Sequence, residues 1–305
     1  MVHITRPSSF SKNTDMKLTK AQAKNNARIE AWVQGVPFPE NSRDKRPSVP
    51  VLTPDEVLEQ YTPPYPEATE QFFTPHEIAC PALSLVALPD QPLNILEPAA
   101  GHGALIRQID RERGHRDHMV AFELELAAYT LGHRLFPWVE WYQDSPFAHL
   151  SELRNCFDFA FFNPPFGKGV AMNSENTAAQ LSKTKSHQFL WLVIEALKPG
   201  CQAVMIAPST VLERMPQKMA DWFQREAHLD YQQPMTGEFT LTKIKVDAFV
   251  ISKREADDNL GERATPANCF ATADIKPCTV TKPLAVRGSG SEGQFSFFDL
   301  FAFTT

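Results

Sequence analysis

The four residues Asn163-Pro164-Pro165-Phe166 concentrate more chemical potential than any other stretch of this chain. Asn163 offers a side-chain amide oxygen, and Pro164 offers a carbonyl on a backbone whose direction proline restricts. Two acceptors beside an aromatic ring suit a planar amine. The nitrogen of an exocyclic amine shares its lone pair with its ring and is a poor nucleophile. Acceptors on both hydrogens favour a more tetrahedral nitrogen, with the lone pair aimed at an electrophile held nearby. Phe166 can stack on the base face, a contact worth about 1–3 kcal/mol in single-strand binders. A target inside a duplex has to leave the stack first. Asn163, Pro164, Pro165 and Phe166 are therefore the candidate catalytic residues.

A second stretch, Glu97-Pro98-Ala99-Ala100-Gly101-His102-Gly103, follows an apolar run. Glycines spaced this way after a strand occur in many nucleotide-binding α/β proteins. A dinucleotide fingerprint has a third glycine where this chain has Ile106. Glu97 instead places a carboxylate at the strand end, which suits an ammonium group and disfavours a pyrophosphate. Glu123 lies about 20 residues past the glycines, where an acid accepts ribose hydroxyls. Asp144 can accept from an adenine amino group. Together these residues describe a pocket for S-adenosylmethionine, with its amino-acid end at the glycines, its ribose at Glu123 and its adenine beside Asp144.

Both stretches must be carried by a sheet. Apolar runs predict strands at 93–97, 118–123, 138–143, 157–162, 201–207 and 246–252, and helices at 103–113, 125–134, 186–197 and 216–227. One polar break, Asp158, interrupts the fourth run. This alternation calls for a mainly parallel α/β sheet covered on both faces. Ligands of such sheets bind at the C-terminal ends of the strands, where both stretches fall. Ahead of the first strand, Gln71-Phe72-Phe73-Thr74-Pro75-His76 has the threonine-before-proline pattern of a helix start, with helical sequence from Glu77 to Leu88.

The segments Phe72–Pro75, Glu97–Gly103 and Asn163–Phe166, with acids at 123 and 144, resemble in order the motifs of N6-adenine DNA methyltransferases of the γ arrangement. The resemblance covers roughly residues 70–253. It implies a Rossmann-like class I methyltransferase with a seven-stranded sheet whose last strand, Val246 to Ile251, is antiparallel. It also implies that Thr74 and Pro75 touch the methionine end of the cofactor. The cofactor candidates are thus Phe73, Thr74, Pro75, Glu97, Pro98, Ala99, Gly101, Gly103, Glu123 and Asp144. Similar tetrads occur in enzymes that methylate RNA or protein glutamine. RNA (guanine N2 or adenine N6), protein glutamine, or an inactive binding role for the same fold are the alternatives to adenine in DNA. Intact glycines and an intact tetrad count against the inactive one.

The chain departs from the resemblance in one respect. Reading several bases takes a large recognition surface, on the order of 100 residues, yet about 50 follow the methyltransferase segment here. The polar loop 167–185 and the N-terminal arm are the other sources of DNA contact. Lys168, Lys183 and Lys185 in that loop, with Phe166, are the substrate-binding candidates, and Arg154 is a further cation for phosphates.

The totals set the outer bounds. At 305 residues the chain suits one large or two small domains, divided here as an N-terminal arm (1–65), a methyltransferase domain (66–254) and a C-terminal extension (255–305). Val36 to Pro66 is rich in proline and charge with little periodicity, and reads as a surface arm. A net charge of −6 argues against a general polyanion binder, although a local basic face suffices for nucleic acid. Five cysteines without a CxxC pair indicate neither a zinc site nor a disulfide framework, and favour a reducing compartment. With no apolar run near 18 residues and no signal-peptide pattern, a cytoplasmic location is expected. Past a Gly/Ser linker at 287–293, Gln294-Phe295-Ser296-Phe297-Phe298 resembles the peptide by which bacterial DNA-processing proteins dock on the replication sliding clamp. The competing expectation is that this phenylalanine-rich tail folds back on the catalytic domain.

Overall fold

Seven strands form one sheet in the order β3-β2-β1-β4-β5-β7-β6 in the computed structural model, which describes residues 18–41, 43–44, 46–63, 72–169, 177–237, 239 and 244–255. The Gln294–Phe298 peptide and the rest of the C-terminal extension past Glu255 lie outside the described residues. The chain divides into two units, Met1–Gln71 and Phe72–Thr305.

The first unit holds α1 (Lys20–Gln34) and α2 (Pro54–Gln60). Each opens with a reciprocal capping box. Thr19 Oγ1 accepts from Gln22 N and Gln22 Oε1 from Thr19 N, and Thr53 and Glu56 repeat the exchange. Asn26 joins the two ends of the unit, donating to the Thr62 carbonyl at 2.7 Å and accepting from Thr62 N at 3.0 Å. The proline-rich stretch read as a surface arm with little periodicity contains a helix. Its signal, Thr53-Pro54-Asp55-Glu56, is a cap rather than an apolar period, and seven residues are too few for periodicity to register.

The second unit carries the sheet. Its elements are α3 (His76–Leu83), β1 (Asn94–Glu97), α4 (Ala104–Arg113), β2 (His118–Phe122), α5 (Leu126–Leu135) and β3 (Glu140–Tyr142). After them come α6 (Leu150–Leu153), β4 (Phe157–Phe162), α7 (Thr177–Leu181), α8 (Lys185–Ala196), β5 (Leu197–Pro208), α9 (Gln217–Glu226), β6 (Ala227–Pro234) and β7 (Val246–Lys253). Strands β1 to β5 pair in parallel, and β7 runs antiparallel to both β5 and β6. The order steps outward in one direction from β1 to β3 and in the other from β4 to β5. Right-handed crossovers then place α4 and α5 on one face and α8 and α9 on the other. This is the Rossmann-like sheet expected, antiparallel last strand included.

Two differences from the expected elements have physical causes. β6 follows no apolar alternation, because it is an edge strand with most side chains in water; Leu229 is 38% and Tyr231 52% exposed. α3 ends at Leu83, not Leu88, where the Ser84 hydroxyl turns back to the Cys80 carbonyl at 2.9 Å. The polar break at Asp158 does not interrupt β4, whose six residues are all buried. Asp158 accepts from Asn94 N at 2.8 Å and pairs with Lys198 at 2.6 Å, tying the start of β1 to β5. Cys80 and Cys156 are free thiols. No helix among the described residues is long and apolar enough to cross a membrane.

A buried ion pair closes the N-terminal edge. Arg113 donates from two nitrogens to Asp117, one contact being 2.8 Å, and reaches the Pro89 and Gln91 carbonyls. Asp117 also accepts from Leu93 N, which fixes the entry to β1. Asp117→Ala is expected to lower stability by about 3–5 kcal/mol, since it leaves a buried guanidinium uncompensated. Urea denaturation of the variant measures this, and an unchanged midpoint would refute it.

Candidate active site

The glycine turn at the end of β1 is bound to the end of β2. Ala100 N donates to the Phe122 carbonyl at 2.8 Å, and Gly101 N donates to Glu123 Oε2 at 2.8 Å. Gly101 and Gly103 have φ of 56° and 95°, a region that side chains disfavour. A Cβ at Gly101 would stand 2.9 Å from the Phe73 ring, and one at Gly103 2.5 Å from the Phe136 ring. Phe73 also stacks on His102, with ring centroids 3.7 Å apart. The Phe72–Pro75 segment thus lies directly against the glycine turn.

Two carboxylates sit beneath it. Glu97 is 2% exposed; its Oε1 accepts from Ala99 N at 3.2 Å, and its buried Oε2 has no hydrogen-bond partner among the described residues. Burial holds its carboxyl well above the usual range, and the nearby Glu123 adds to the effect. Glu123 accepts from Gly101 N and, through Oε1, from Glu125 N at 2.7 Å. Burial nevertheless lifts it to about 7. Asp144 lies two residues past β3, with Oδ1 accepting from Ser145 N at 2.7 Å and Oδ2 facing His149 Nε2 at 3.1 Å. Pro98 is buried, and Ala99 and Pro75 are half-buried.

The Asn163 turn lies one strand away. β1 pairs with β4 through Ile95↔Phe159 and Leu96↔Ala160, so the residues after each strand emerge side by side. Asn163 Nδ2 donates to the Phe72 carbonyl at 3.2 Å and to Thr74 Oγ1 at 2.8 Å. A carbonyl can only accept, which settles which end of the amide is nitrogen. The opposite atom, Oδ1, is buried and has no partner among the described residues. Thr74, a cofactor candidate by resemblance, here orients Asn163, a link across 89 residues of sequence. Pro164 is buried, and Pro165 and Phe166 are half-buried.

The loop after this turn is pinched at its base. Gly169 N donates to the Lys183 carbonyl at 2.8 Å and Lys185 N to the Gly167 carbonyl at 2.9 Å. The buried Gln188 donates across the neck to Gly169 and Ser182 carbonyls. Lys168 and Lys183, both exposed, and the half-buried Lys185 are brought together there. Arg154 is not. It precedes β4 and faces Glu195 at 3.3 Å, at the end of the six-residue strand opposite Asn163, roughly 20 Å away. Gln188 and Ser186 escaped the sequence reading because polar residues on an apolar helix read as its solvated face, whereas both are 1% exposed. Among the described residues no group of three His, Cys, Asp or Glu is placed to hold a metal ion.

No family model matches the chain, and no curated protein matches it in sequence. Solved structures match its fold. A Listeria monocytogenes protein assigned to the class I S-adenosylmethionine-dependent methyltransferases aligns at TM-score 0.56 and 12% identity, over 80% of this chain and 84% of that one. The methyltransferase subunit of a type I restriction-modification system from Streptococcus thermophilus aligns at TM-score 0.51 and 18% identity, over 61% of this chain and 45% of that one. A Vibrio vulnificus protein described as the modification subunit of a type I restriction enzyme gives TM-score 0.51 and 16% identity, over 60% and 44%. The chain spans less than half the length of these last two. At such identities the likeness defines the fold, that of class I methyltransferases.

The raised carboxyls have a consequence for stability. Folding keeps the Glu97 and Glu123 protons that the unfolded chain releases near 4.5. Their contribution to stability is therefore complete below 4.5 and is lost as pH rises, for Glu123 through about 7. Glu97→Gln keeps the Ala99 contact and removes the buried charge. Thermal melts are expected to show the variant more stable than the parent at pH 8, with the gap closing toward pH 5. A gap independent of pH would contradict this account.

Proposed function

We propose that this chain is an S-adenosylmethionine-dependent methyltransferase that acts on an exocyclic amine, with adenine N6 in DNA as its substrate. One observation carries the reading: the amide nitrogen of Asn163 is held by two acceptors while its amide oxygen is buried without a partner among the described residues. A buried acceptor left unpaired costs about 1–3 kcal/mol, a cost that a donor arriving with a substrate would relieve. The Pro164 carbonyl adds a second acceptor, and neither proline supplies a donor. Two acceptors beside the Phe166 ring fit the two hydrogens and flat face of a nucleobase amine.

The cofactor reading rests on the same kind of feature. Glu97 Oε2 is buried and without a partner among the described residues, which fits an ammonium group. Glu123 accepts ribose hydroxyls, and each Asp144 oxygen keeps a lone pair for an adenine amine. Phe73, Pro75, Pro98 and Ala99 line the amino-acid end beside Gly101 and Gly103. When bound, S-adenosylmethionine supplies an electrophilic methyl group on a sulfonium. The chain's residues hold the amine: Asn163 and Pro164 accept its hydrogens and Phe166 stacks on its base. DNA is favoured by the order of the three motifs and by Lys168, Lys183 and Lys185 at the loop neck, where phosphates can be met.

The test is methyl transfer from radiolabelled S-adenosylmethionine to amplified DNA of mixed sequence, to RNA and to protein. Label in DNA as N6-methyladenine is expected. Label only in RNA or protein moves the substrate, and cofactor binding without transfer points to an inactive protein. Asn163→Ala is expected to lower transfer about 100-fold or more and to keep cofactor affinity.

The tail extends the proposal to a partner. A peptide of residues 290–305 is expected to bind a bacterial sliding clamp with a dissociation constant on the order of micromolar. Replacing Gln294 and Phe298 with alanine abolishes that binding if the assignment is right. Destabilisation of the chain on truncation, without clamp binding, would assign the tail to the core.

A further inference from the structure

Two prolines in succession leave the Asn163–Phe166 turn without N–H groups of its own at 164 and 165. Their rings fix φ but not ψ, so the peptide plane that launches Phe166 needs an outside anchor. Ser186 provides a contact there. Its hydroxyl donates to the Pro165 carbonyl at 2.9 Å, across 21 residues of sequence. Ser186 is 1% exposed, so water has little access to replace that donor. It stands at the second position of α8, where serine commonly serves its own helix; here Thr184 is the N-cap and the Ser186 hydroxyl reaches outward. The Pro165 carbonyl and the Phe166 N–H belong to one peptide unit, so holding the first orients the second. The hydrogen bond also takes up one of the two lone pairs of the Pro165 carbonyl.

We infer that Ser186 is a positioning residue: its hydrogen bond to the Pro165 carbonyl sets the plane of the Pro165–Phe166 peptide and with it the placement of Phe166 against a substrate base. The base-stacking role rests on the proposed function; the peptide-plane role does not. The neighbouring Gln188 acts on a different feature, the neck at Gly169 and Ser182, so the two side chains can be separated by experiment.

Full-length protein labelled with ¹³C at proline carbonyls and ¹⁵N at phenylalanine reports only Pro-Phe peptides. The sequence has three: Pro37-Phe38, Pro146-Phe147 and Pro165-Phe166. Ser186→Ala is expected to shift or broaden the Pro165-Phe166 signal and to leave the other two in place. The melting temperature and the affinity for S-adenosylmethionine should hold. In assays with amplified DNA, kcat should fall about tenfold, the equivalent of one net hydrogen bond, with KM for DNA unchanged. Gln188→Met should leave the Pro165-Phe166 signal where it is. An unmoved signal in Ser186→Ala overturns the inference whatever the kinetics, as does a shift of all three signals with a lowered melting temperature. A shifted signal with unchanged kcat confines Ser186 to shaping the turn and overturns its bearing on Phe166 function. Absence of methyl transfer by the parent protein sinks the proposed function, and the spectrum still decides the peptide plane.

Discussion

The pairing of β1 with β4 is the constraint on which the rest of the site depends. At that point the strand order reverses, the crossover helices part to opposite faces, and a crevice opens between the two strand ends. The glycine turn leaves one side of it and the Asn163 turn leaves the other. Ile95↔Phe159 and Leu96↔Ala160 set the register, so a slip of one residue would send Glu97 or Asn163 to the wrong face. The wholly buried β4 and β1 make such a slip costly. Precision at the polar turns is thus inherited from apolar strands that do no chemistry.

The Phe72–Pro75 segment converts adjacency into a coupled site. Phe73 lies on Gly101 and His102, and Thr74 with the Phe72 carbonyl holds Asn163. A single short segment therefore touches both turns. Anything that displaces Phe73 from the glycines also disturbs the acceptors that fix the Asn163 amide, because consecutive residues cannot move independently.

Much of this was legible in the sequence, for identifiable reasons. The buried central strands read as apolar runs, the alternation with helices gave a parallel sheet, and glycines with positive φ marked the turn. β6 was not legible, because an edge strand half in water has no apolar period. α2 was not, because its signal is a cap. The sequence placed Thr74 and Asn163 in separate motifs; only the folded chain joins them. Ser186 and Gln188 were invisible for a related reason. A polar residue on a buried helix is defined by its partner, and here the partners are backbone carbonyls 19 and 21 residues away.

The buried acids give the site its physical character. Desolvation raises both Glu97 and Glu123; the Glu123 charge adds to the rise at Glu97, and the Glu125 charge to that at Glu123. A chain selected for stability alone would replace Glu97 with an apolar residue, since only one of its oxygens is used among the described residues. The Asn163 amide oxygen presents the same imbalance on the neighbouring strand. Each is an acceptor kept from water: Glu97 is held through its other oxygen by the Ala99 N–H, and Asn163 through its amide nitrogen by two acceptors. A neutral apolar ligand would relieve neither. A ligand with a cationic amine would relieve Glu97, a flat amine with two hydrogens would relieve Asn163, and the two acceptors follow adjacent strands. Under the proposed function these two groups would face complementary partners side by side, the arrangement that a group transfer between them requires.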